Sequence, residues 1–143
     1  MAGGKIFVDT SVLIAALLSP TGGSSYLLET YRNIYDFLIN EHILKETLRI
    51  MADKLDSELT TEDFFRLAKL IRLKVVMNPP PQVLAVLADV IEKDDQAILA
   101  SALERADFLL TLDNHFFSEA VSHFISTRTL QILKPKDFIV LHE

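Results

Sequence analysis

The sequence of 143 residues contains no cysteine, and this absence removes several kinds of chemistry. Disulfides, thiolate zinc sites and a cysteine nucleophile are all excluded, so a bound metal would need oxygen or imidazole ligands. Hard divalent cations are therefore the natural candidates for any metal site.

Long apolar runs and an excess of positive charge are also missing. The longest runs, such as residues 12–18, fall far short of the roughly 20 residues that a membrane span needs, and no signal peptide opens the chain. We expect a soluble, cytoplasmic protein without a membrane partner. The net charge of −6 argues against a protein that coats nucleic acid in general, although acids gathered in one metal site would distort that count.

The length and composition are those of one globular domain. Hydrophobic residues make up 50% of the chain and charged residues 24%, which is enough apolar material for one independent core. We therefore expect a single domain over residues 1–143. Residues 1–4 carry no structural signal, and we set them aside as a flexible or non-native start.

Apolar runs alternate with helical periodicities along the chain. The predicted strands lie at residues 5–8, 34–39, 75–77, 108–112 and 130–133. The predicted helices lie at residues 12–18, 24–32, 41–55, 61–73, 83–91, 94–104 and 115–124, with a final turn after Pro135. Thr10 or Ser11 is expected to cap the first helix. Because parallel strands need crossover connections, which are usually helices, the alternation predicts an α/β domain with a mostly parallel sheet.

Two aspartates directly follow predicted strands. Asp9 comes after the first strand and Asp113 after the strand at residues 108–112. Since ligands bind beyond the carboxyl ends of parallel strands, the two carboxylates should meet at one edge of the sheet if these strands are neighbours. For either residue alone, a helix N-cap is the simpler interpretation, because aspartate is favoured there.

Asp94 and Asp95 precede an apolar helix start at residues 97–100. One of the pair is expected to cap the helix and to interact favourably with its dipole. Asp95 lies one turn before Leu99 and shares the inward face of the helix, where a carboxylate needs a partner or a metal. This argument selects Asp95 over Asp94 as a candidate ligand.

Glu46 is the least conspicuous candidate. The expected apolar face of its helix consists of Leu44, Leu48, Met51 and Leu55, and Ile43 and Ile50 widen it. Glu46 lies at the margin of that face. From the residues alone, a surface ion pair with Arg49 is the favoured role for Glu46.

Taken together, these segments resemble the successive acidic motifs of PIN domains (PilT N-terminus domains). The matching segments are residues 5–14, the helix that contains Glu46, residues 93–100 and residues 106–113. The resemblance implies a three-layer α/β/α fold with a parallel sheet in the order 3-2-1-4-5. It also implies a Mg²⁺- or Mn²⁺-dependent nuclease that acts most often on RNA. The chain is similar in particular to the short members that serve as toxins of toxin–antitoxin pairs, which implies an antitoxin partner and a homodimer.

Carried over residue by residue, the resemblance assigns catalytic and metal-binding roles to Asp9, Glu46, Asp95 and Asp113. Thr111 matches a threonine that precedes the last acid, and Ser11 stands where many members have an asparagine that can orient the first acid. Many members carry a further acid where this chain has His115, so a second metal ion would be weakly held or absent. Asp94 remains the alternative match in the third motif.

Phosphodiester hydrolysis explains why such a cluster would be needed. The reaction requires an attacking hydroxide, neutralised phosphate charge and a stabilised leaving oxygen, all of which oxygen-ligated cations supply. Without metal, carboxylates crowded into one pocket repel one another, so some should take up protons at higher pH than a free carboxyl group.

Residues that could contact a substrate are harder to place. A basic stripe with an aromatic neighbour is formed by Phe65, Arg66, Lys69, Arg72 and Lys74. Such a stripe could follow single-stranded RNA, although a solvated helix face is its commoner meaning. The histidines at positions 42, 115, 123 and 142 are scattered, and none is predicted to be catalytic.

Three other functions compete with a nuclease. A catalytically silent PIN-like module that binds an antitoxin or a partner chain is favoured by His115 in place of an acid. An aspartate-nucleophile phosphatase would use Asp9, but Ser11 occupies the place of its usual second acid. A response-regulator receiver is disfavoured because no acidic pair precedes Asp9.

Overall fold

The computed structural model describes residues 3–53 and 59–143. The strands in these residues are β1 (Lys5–Val8), β2 (Asp36–Asn40), β3 (Lys74–Val76), β4 (Phe108–Leu110) and β5 (Gln131–Leu133). The helices are α1 (Thr10–Leu18), α2 (Gly23–Tyr31), α3 (Glu41–Asp53), α4 (Thr61–Leu70), α5 (Pro81–Ala85), α6 (Lys93–Arg105), α7 (Glu119–Ile125) and α8 (Pro135–His142). A short 3-10 helix, Asn114–Phe117, precedes α7.

The strands form one parallel sheet in the order β3-β2-β1-β4-β5. The central strand β1 pairs with β2 on one side and with β4 on the other. Its residues Ile6, Phe7 and Val8 are 0% exposed, and a strand buried on both faces needs a helical layer on each side. The three-layer α/β/α fold and the strand order expected from the sequence are confirmed.

The pairing of β1 with β4 places the ends of these two strands side by side. Val8 lies opposite Leu110 in the register, and Asp9 N donates a hydrogen bond of 3.0 Å to Leu110 O. The segments that follow the two strands therefore leave the same edge of the sheet. Asp9 and Asp113 lie on these segments.

Of the two expectations for the cap of the first helix, the cap at Thr10 or Ser11 is wrong and the cap at Asp9 is confirmed. Asp9 is the N-cap of α1, because its side chain accepts a hydrogen bond from Thr10 N. Thr10 and Ser11 are instead the first two helical residues. This shift leaves both hydroxyl groups available for contacts with other elements.

Several predicted elements have other bounds or types. The helix expected at residues 83–91 begins earlier, because Pro81 suits the first helical position, and it ends at Ala85 before a series of turns. The helical stretch expected at residues 115–124 is divided at Ser118, whose extended backbone caps α7. The final turn after Pro135 is a full helix, α8, which Phe138 anchors with 0% exposure.

The face with which α3 packs is rotated relative to the expected one. Its buried residues are Ile43, Thr47 and Met51, whereas Leu44 and Leu48 are only half-buried. The expected end of this helix at Leu55 lies outside the described residues. Because a polar residue, Thr47, belongs to the buried stripe, hydrophobicity alone points to the wrong face.

Among the described residues, no single helix is both long and apolar enough to cross a membrane. Helices α1 and α2 reach that length and composition only when taken together, and they are bent by 103° at the break between them.

Candidate active site

A cavity of about 270 Å³ opens at the carboxyl edge of the sheet, where α1, α3 and α6 meet. The side chains that line it are Asp9, Thr10, Ser11, Ile14, Glu46, Ile50, Asp95 and Asp113. The four acids selected from the sequence therefore lie in one cavity, although they come from distant parts of the chain. None of the four histidines, at positions 42, 115, 123 and 142, lines it.

Asp9 is the most buried of the four acids in this cavity and is only 4% exposed. Its Oδ1 accepts a hydrogen bond of 2.8 Å from Thr10 N. Its Oδ2 accepts hydrogen bonds from Ser11 Oγ at 2.9 Å and from Thr111 Oγ1 at 2.7 Å. The cap role and the place in the acidic cluster are therefore compatible, and the side chain is held in one orientation.

Two hydroxyl groups join the segment after β1 to the segment after β4. Thr111 Oγ1 donates to Asp9 and accepts a hydrogen bond of 3.0 Å from Asp113 N. Ser11 Oγ likewise donates to Asp9 and accepts one of 3.0 Å from Leu112 N. Because each hydroxyl both donates and accepts, these residues fix the position of Asp113 relative to Asp9.

Asp94 and Asp95 have different surroundings in the first turn of α6. Asp94 is exposed, whereas Asp95 is half-buried and lines the cavity. Asp95 Oδ2 lies 3.1 Å from His115 Nδ1, which is also 3.6 Å from Asp113 Oδ1. His115 therefore bridges two acids of the cavity. Together with Glu92, Asp95 and His115 also offer one ligand atom each within 4.8 Å of one another, as a metal ion would require.

Glu46 faces the cavity and does not play the surface role favoured by the residues alone. Its Oε1 accepts a hydrogen bond of 2.6 Å from Thr10 Oγ1. In the part of the chain that the structure describes, no ion pair joins Glu46 to Arg49. Glu46 points into the cavity because α3 buries the face that contains Ile43 and Thr47, and Glu46 lies beside that face.

Asn40, which sequence reasoning did not select, holds α3 against α6 behind the cavity. Its side chain is 0% exposed. Asn40 Nδ2 donates to Ala97 O at 3.0 Å and to Ser101 Oγ at 2.9 Å, and Oδ1 accepts from Ile43 N at 2.9 Å. These helices carry Glu46 and Asp95, so Asn40 fixes their separation. The sequence offered one signal for this role, which is that Asn40 is a polar residue at the end of an apolar strand.

Two of the acids in the cavity, Asp9 and Asp95, have raised pKa values when no cation is present. Burial raises the pKa of Asp9 from 3.8 to about 6, against the lowering effect of its hydrogen bonds, and the charge of Glu46 adds to the increase. Burial also raises the pKa of Asp95, with smaller contributions from Asp113 and Glu46. The hydrogen bond to Asp95 and the charge of Asp113 raise the pKa of His115. Repulsion between crowded carboxylates was expected to be the main cause of raised pKa values, but burial is the larger cause for Asp9 and Asp95.

The basic stripe does not border the cavity. Arg66 pairs with Asp63 on its own helix at 3.2 Å. Arg72 Nη1 donates to Asn33 at 3.2 Å, and Lys74 lies 3.6 Å from Asp36, the first residue of β2. The stripe therefore leads to the amino edge of the sheet, opposite the acids. A solvated helix face describes it better than an RNA path into the cavity.

A family model described as a PIN domain matches residues 5–115. The chain belongs to the PIN domain family. No curated protein matches the sequence. Among solved structures, this PIN domain is similar to a crystal structure of VapBC2 from Rickettsia felis bound to a DNA fragment from their promoter, with 14% identity, a TM-score of 0.66 and coverage of 91% of this chain and 99% of that chain. It is also similar to DNA-bound VapBC from Salmonella typhimurium, with 19% identity, a TM-score of 0.63 and coverage of 94% and 99%.

Proposed function

We propose that this PIN domain is a metal-dependent endoribonuclease that hydrolyses phosphodiester bonds of RNA. The observation that carries the proposal is the convergence of four carboxylates on one cavity at the carboxyl edge of the sheet. Structural acids are usually dispersed or paired with cations, because like charges in a confined space destabilise a fold. A cluster of this kind is typical of a site that binds a cation.

The donor set of the cavity fits Mg²⁺ or Mn²⁺. Asp9, Glu46, Asp95 and Asp113 supply only carboxylate oxygens, which are the ligands that hard divalent cations prefer. Burial disfavours the charged form of Asp9, and a cation would reverse that preference. When bound, the ion supplies activation of a water molecule and neutralisation of charge on the scissile phosphodiester.

The polar residues around the acids position them for this role. Thr111 and Ser11 hold Asp9 and the backbone of the segment that carries Asp113. Thr10 orients Glu46 through a hydrogen bond from its hydroxyl group. Because these contacts already exist in the isolated chain, the carboxylates need little rearrangement to bind an ion, which is the condition for strong electrostatic stabilisation of a transition state.

A role as the toxin of a toxin–antitoxin pair is the biological context that we propose for this activity. The similar structures from Rickettsia felis and Salmonella typhimurium are VapBC complexes with DNA. We extend from them an antitoxin protein as the partner of this chain. We also propose a homodimeric state and a cytoplasmic location, which rest on the sequence and its family resemblance and not on these two structures. Co-expression with the product of a neighbouring reading frame, followed by co-purification, tests the partner.

The test of the activity compares two adjacent aspartates of α6. Asp95→Asn should reduce Mn²⁺-dependent cleavage of single-stranded RNA by orders of magnitude, because Asp95 lines the cavity. Asp94→Asn is the matched control, since its side chain is exposed on the same helical turn. Wild-type activity should disappear in EDTA and return with Mn²⁺. Equal loss of cleavage in both variants would contradict the assignment of Asp95.

The alternative function is a catalytically silent interaction module. His115 favours it, because the imidazole already contacts Asp95 and Asp113, two groups that would otherwise be free to bind a cation. An Asp9→Asn/Asp113→Asn double variant separates the two functions. If wild type and double variant degrade structured and unstructured RNAs equally slowly, with metal present and any partner removed, the nuclease proposal is wrong.

A further inference from the structure

An exposed aromatic residue and a lysine lie together on the segments that follow β4 and β5. Lys134 Nζ is 5.6 Å from the centre of the Phe117 ring, and the Phe117 side chain is 36% exposed. We call these two residues the Phe117–Lys134 pair. Neither residue lines the cavity described above.

Chain connectivity places the pair at the same edge of the sheet as the acids. Phe117 ends the 3-10 helix whose N-cap is Asp113. Lys134 follows the last residue of β5, Leu133, whose carbonyl oxygen accepts a hydrogen bond of 3.2 Å from Thr111 N. The segment after β4 therefore carries both Asp113, which lines the cavity, and Phe117, and the neighbouring segment after β5 carries Lys134.

The negative charge at this edge of the sheet gives Lys134 a role in binding phosphate. The cavity is lined by four carboxylates and the chain has a net charge of −6, so the phosphates of an approaching nucleic acid meet repulsion. In residues 3–53 and 59–143, no carboxylate forms an ion pair with Lys134. Its ammonium group is therefore available to a phosphate that approaches this edge of the sheet.

We propose that the Phe117–Lys134 pair binds single-stranded RNA next to the cleavage site, with a base stacked on Phe117 and the adjoining phosphate on Lys134. An aromatic platform next to a cation is the arrangement with which proteins bind single strands independently of sequence. The inference rests on the proposed ribonuclease function and names the surface along which its substrate enters the cavity. The stripe on α4 cannot serve this purpose, because it leads to the opposite edge.

The same fold contains a second cation–π pair that serves as a matched control. Arg128 lies 3.9 Å from the centre of the Phe124 ring and donates to Phe124 O. This pair precedes β5, which begins at Gln131, so it lies at the amino edge of the sheet. It has the same kind of chemistry as the Phe117–Lys134 pair but no access to the cavity.

The experiment measures fluorescence anisotropy of a labelled, unstructured oligoribonucleotide in EDTA, so that metal-dependent cleavage does not consume the probe. Phe117→Leu should weaken binding about tenfold, as expected for the loss of one stacked base, and Phe117→Trp should preserve or tighten it. Lys134→Gln should weaken binding and lower the slope of log affinity against log salt by about 0.7. Phe124→Leu and Arg128→Gln should bind RNA like the wild type.

The binding result tests this proposal whether or not the protein cleaves RNA. A loss of binding in the Phe117 and Lys134 variants, with wild-type binding in the control pair, supports the proposal even if the protein cleaves no RNA. Equal binding by all variants, or equal losses in both pairs, overturns it even if wild type cleaves RNA with Mn²⁺. Thermal unfolding of each variant confirms that folded protein is compared, and Phe117→Trp keeps the test valid if Phe117→Leu unfolds.

Discussion

Thr10 donates a hydrogen bond of 2.6 Å to Glu46, and this contact joins the first residue of α1 to the middle of α3. Thr10 is 4% exposed, and the hydroxyl of Thr47 lies 3.4 Å behind it. Because both threonines are buried, the hydroxyl of Thr10 has few other partners. Its hydrogen bond therefore determines the direction in which the Glu46 carboxylate points.

Thr10→Val should lower the affinity for Mn²⁺ about tenfold, because a hydrogen bond to a charged group contributes about 1.5–3 kcal/mol. Titration calorimetry at a temperature where the variant is fully folded measures this change. Thr10→Ser keeps the hydroxyl group and should retain most of the affinity. Wild-type affinity in Thr10→Val would show that Glu46 does not need this contact, or that it does not bind the ion.

The buried carboxyl group of Asp9 predicts a pH dependence of stability in the metal-free protein. Burial raises its pKa from 3.8 to about 6, so between these values the folded state binds more protons than the unfolded state. The free energy of unfolding should then fall as pH rises from about 4 to about 6. The full difference corresponds to about 3 kcal/mol.

Urea unfolding in EDTA across this pH range measures the effect. Asp9→Asn is the control, because asparagine caps a helix as well as aspartate does but carries no charge. The decrease in stability should be smaller in this variant by the contribution of Asp9, while Asp95 and His115 titrate in both proteins. Identical pH profiles for wild type and Asp9→Asn would contradict the prediction.

The sequence identified the two strand-end acids for a reason that the structure makes plain. Asp9 and Asp113 follow strands directly, and parallel strands all end at the same edge, so their meeting required only that β1 and β4 be neighbours. The periodicity of α6 likewise distinguished the inward Asp95 from the exposed Asp94. These residues are placed by local patterns and by the polarity of the sheet.

Glu46 could not be placed in this way. Its orientation depends on the buried Thr47, which a hydrophobicity pattern assigns to the surface, and on a hydrogen bond to a residue 36 positions away. The contact of His115 with Asp95 is also non-local, because the two residues are 20 positions apart. Glu46 was assigned to the acidic cluster only by the family resemblance, because the local sequence pattern favoured a surface ion pair.

Asn40 is predicted to be the polar residue whose loss most affects the framework of the site. Asn40→Leu would leave Ile43 N, Ala97 O and Ser101 Oγ without their partner in a fully buried environment. We expect a loss of about 3 kcal/mol in the free energy of unfolding. Urea titrations measure it, and the exposed Asn33→Ala is the control that should change stability by less than about 0.5 kcal/mol.

Metal-induced stabilisation should separate the function of the acids from their contribution to the fold. Mn²⁺ at a hundredfold excess over its dissociation constant should stabilise the wild type by about 2.7 kcal/mol, because the ion binds the folded state only. Asp9→Asn and Asp113→Asn should abolish most of this gain in thermal unfolding experiments. Asp94→Asn should keep it, since this side chain is exposed on the outer face of α6.

In EDTA the order of stabilities should change. Asp9→Asn should then be as stable as wild type or more stable at neutral pH, because the substitution removes a buried charge while keeping the helix cap. Stability without metal and stabilisation by metal would thus move in opposite directions, which a purely structural aspartate does not explain. Clear destabilisation of metal-free Asp9→Asn, together with an unchanged response to Mn²⁺, would assign Asp9 to capping alone and remove the ion from this cavity.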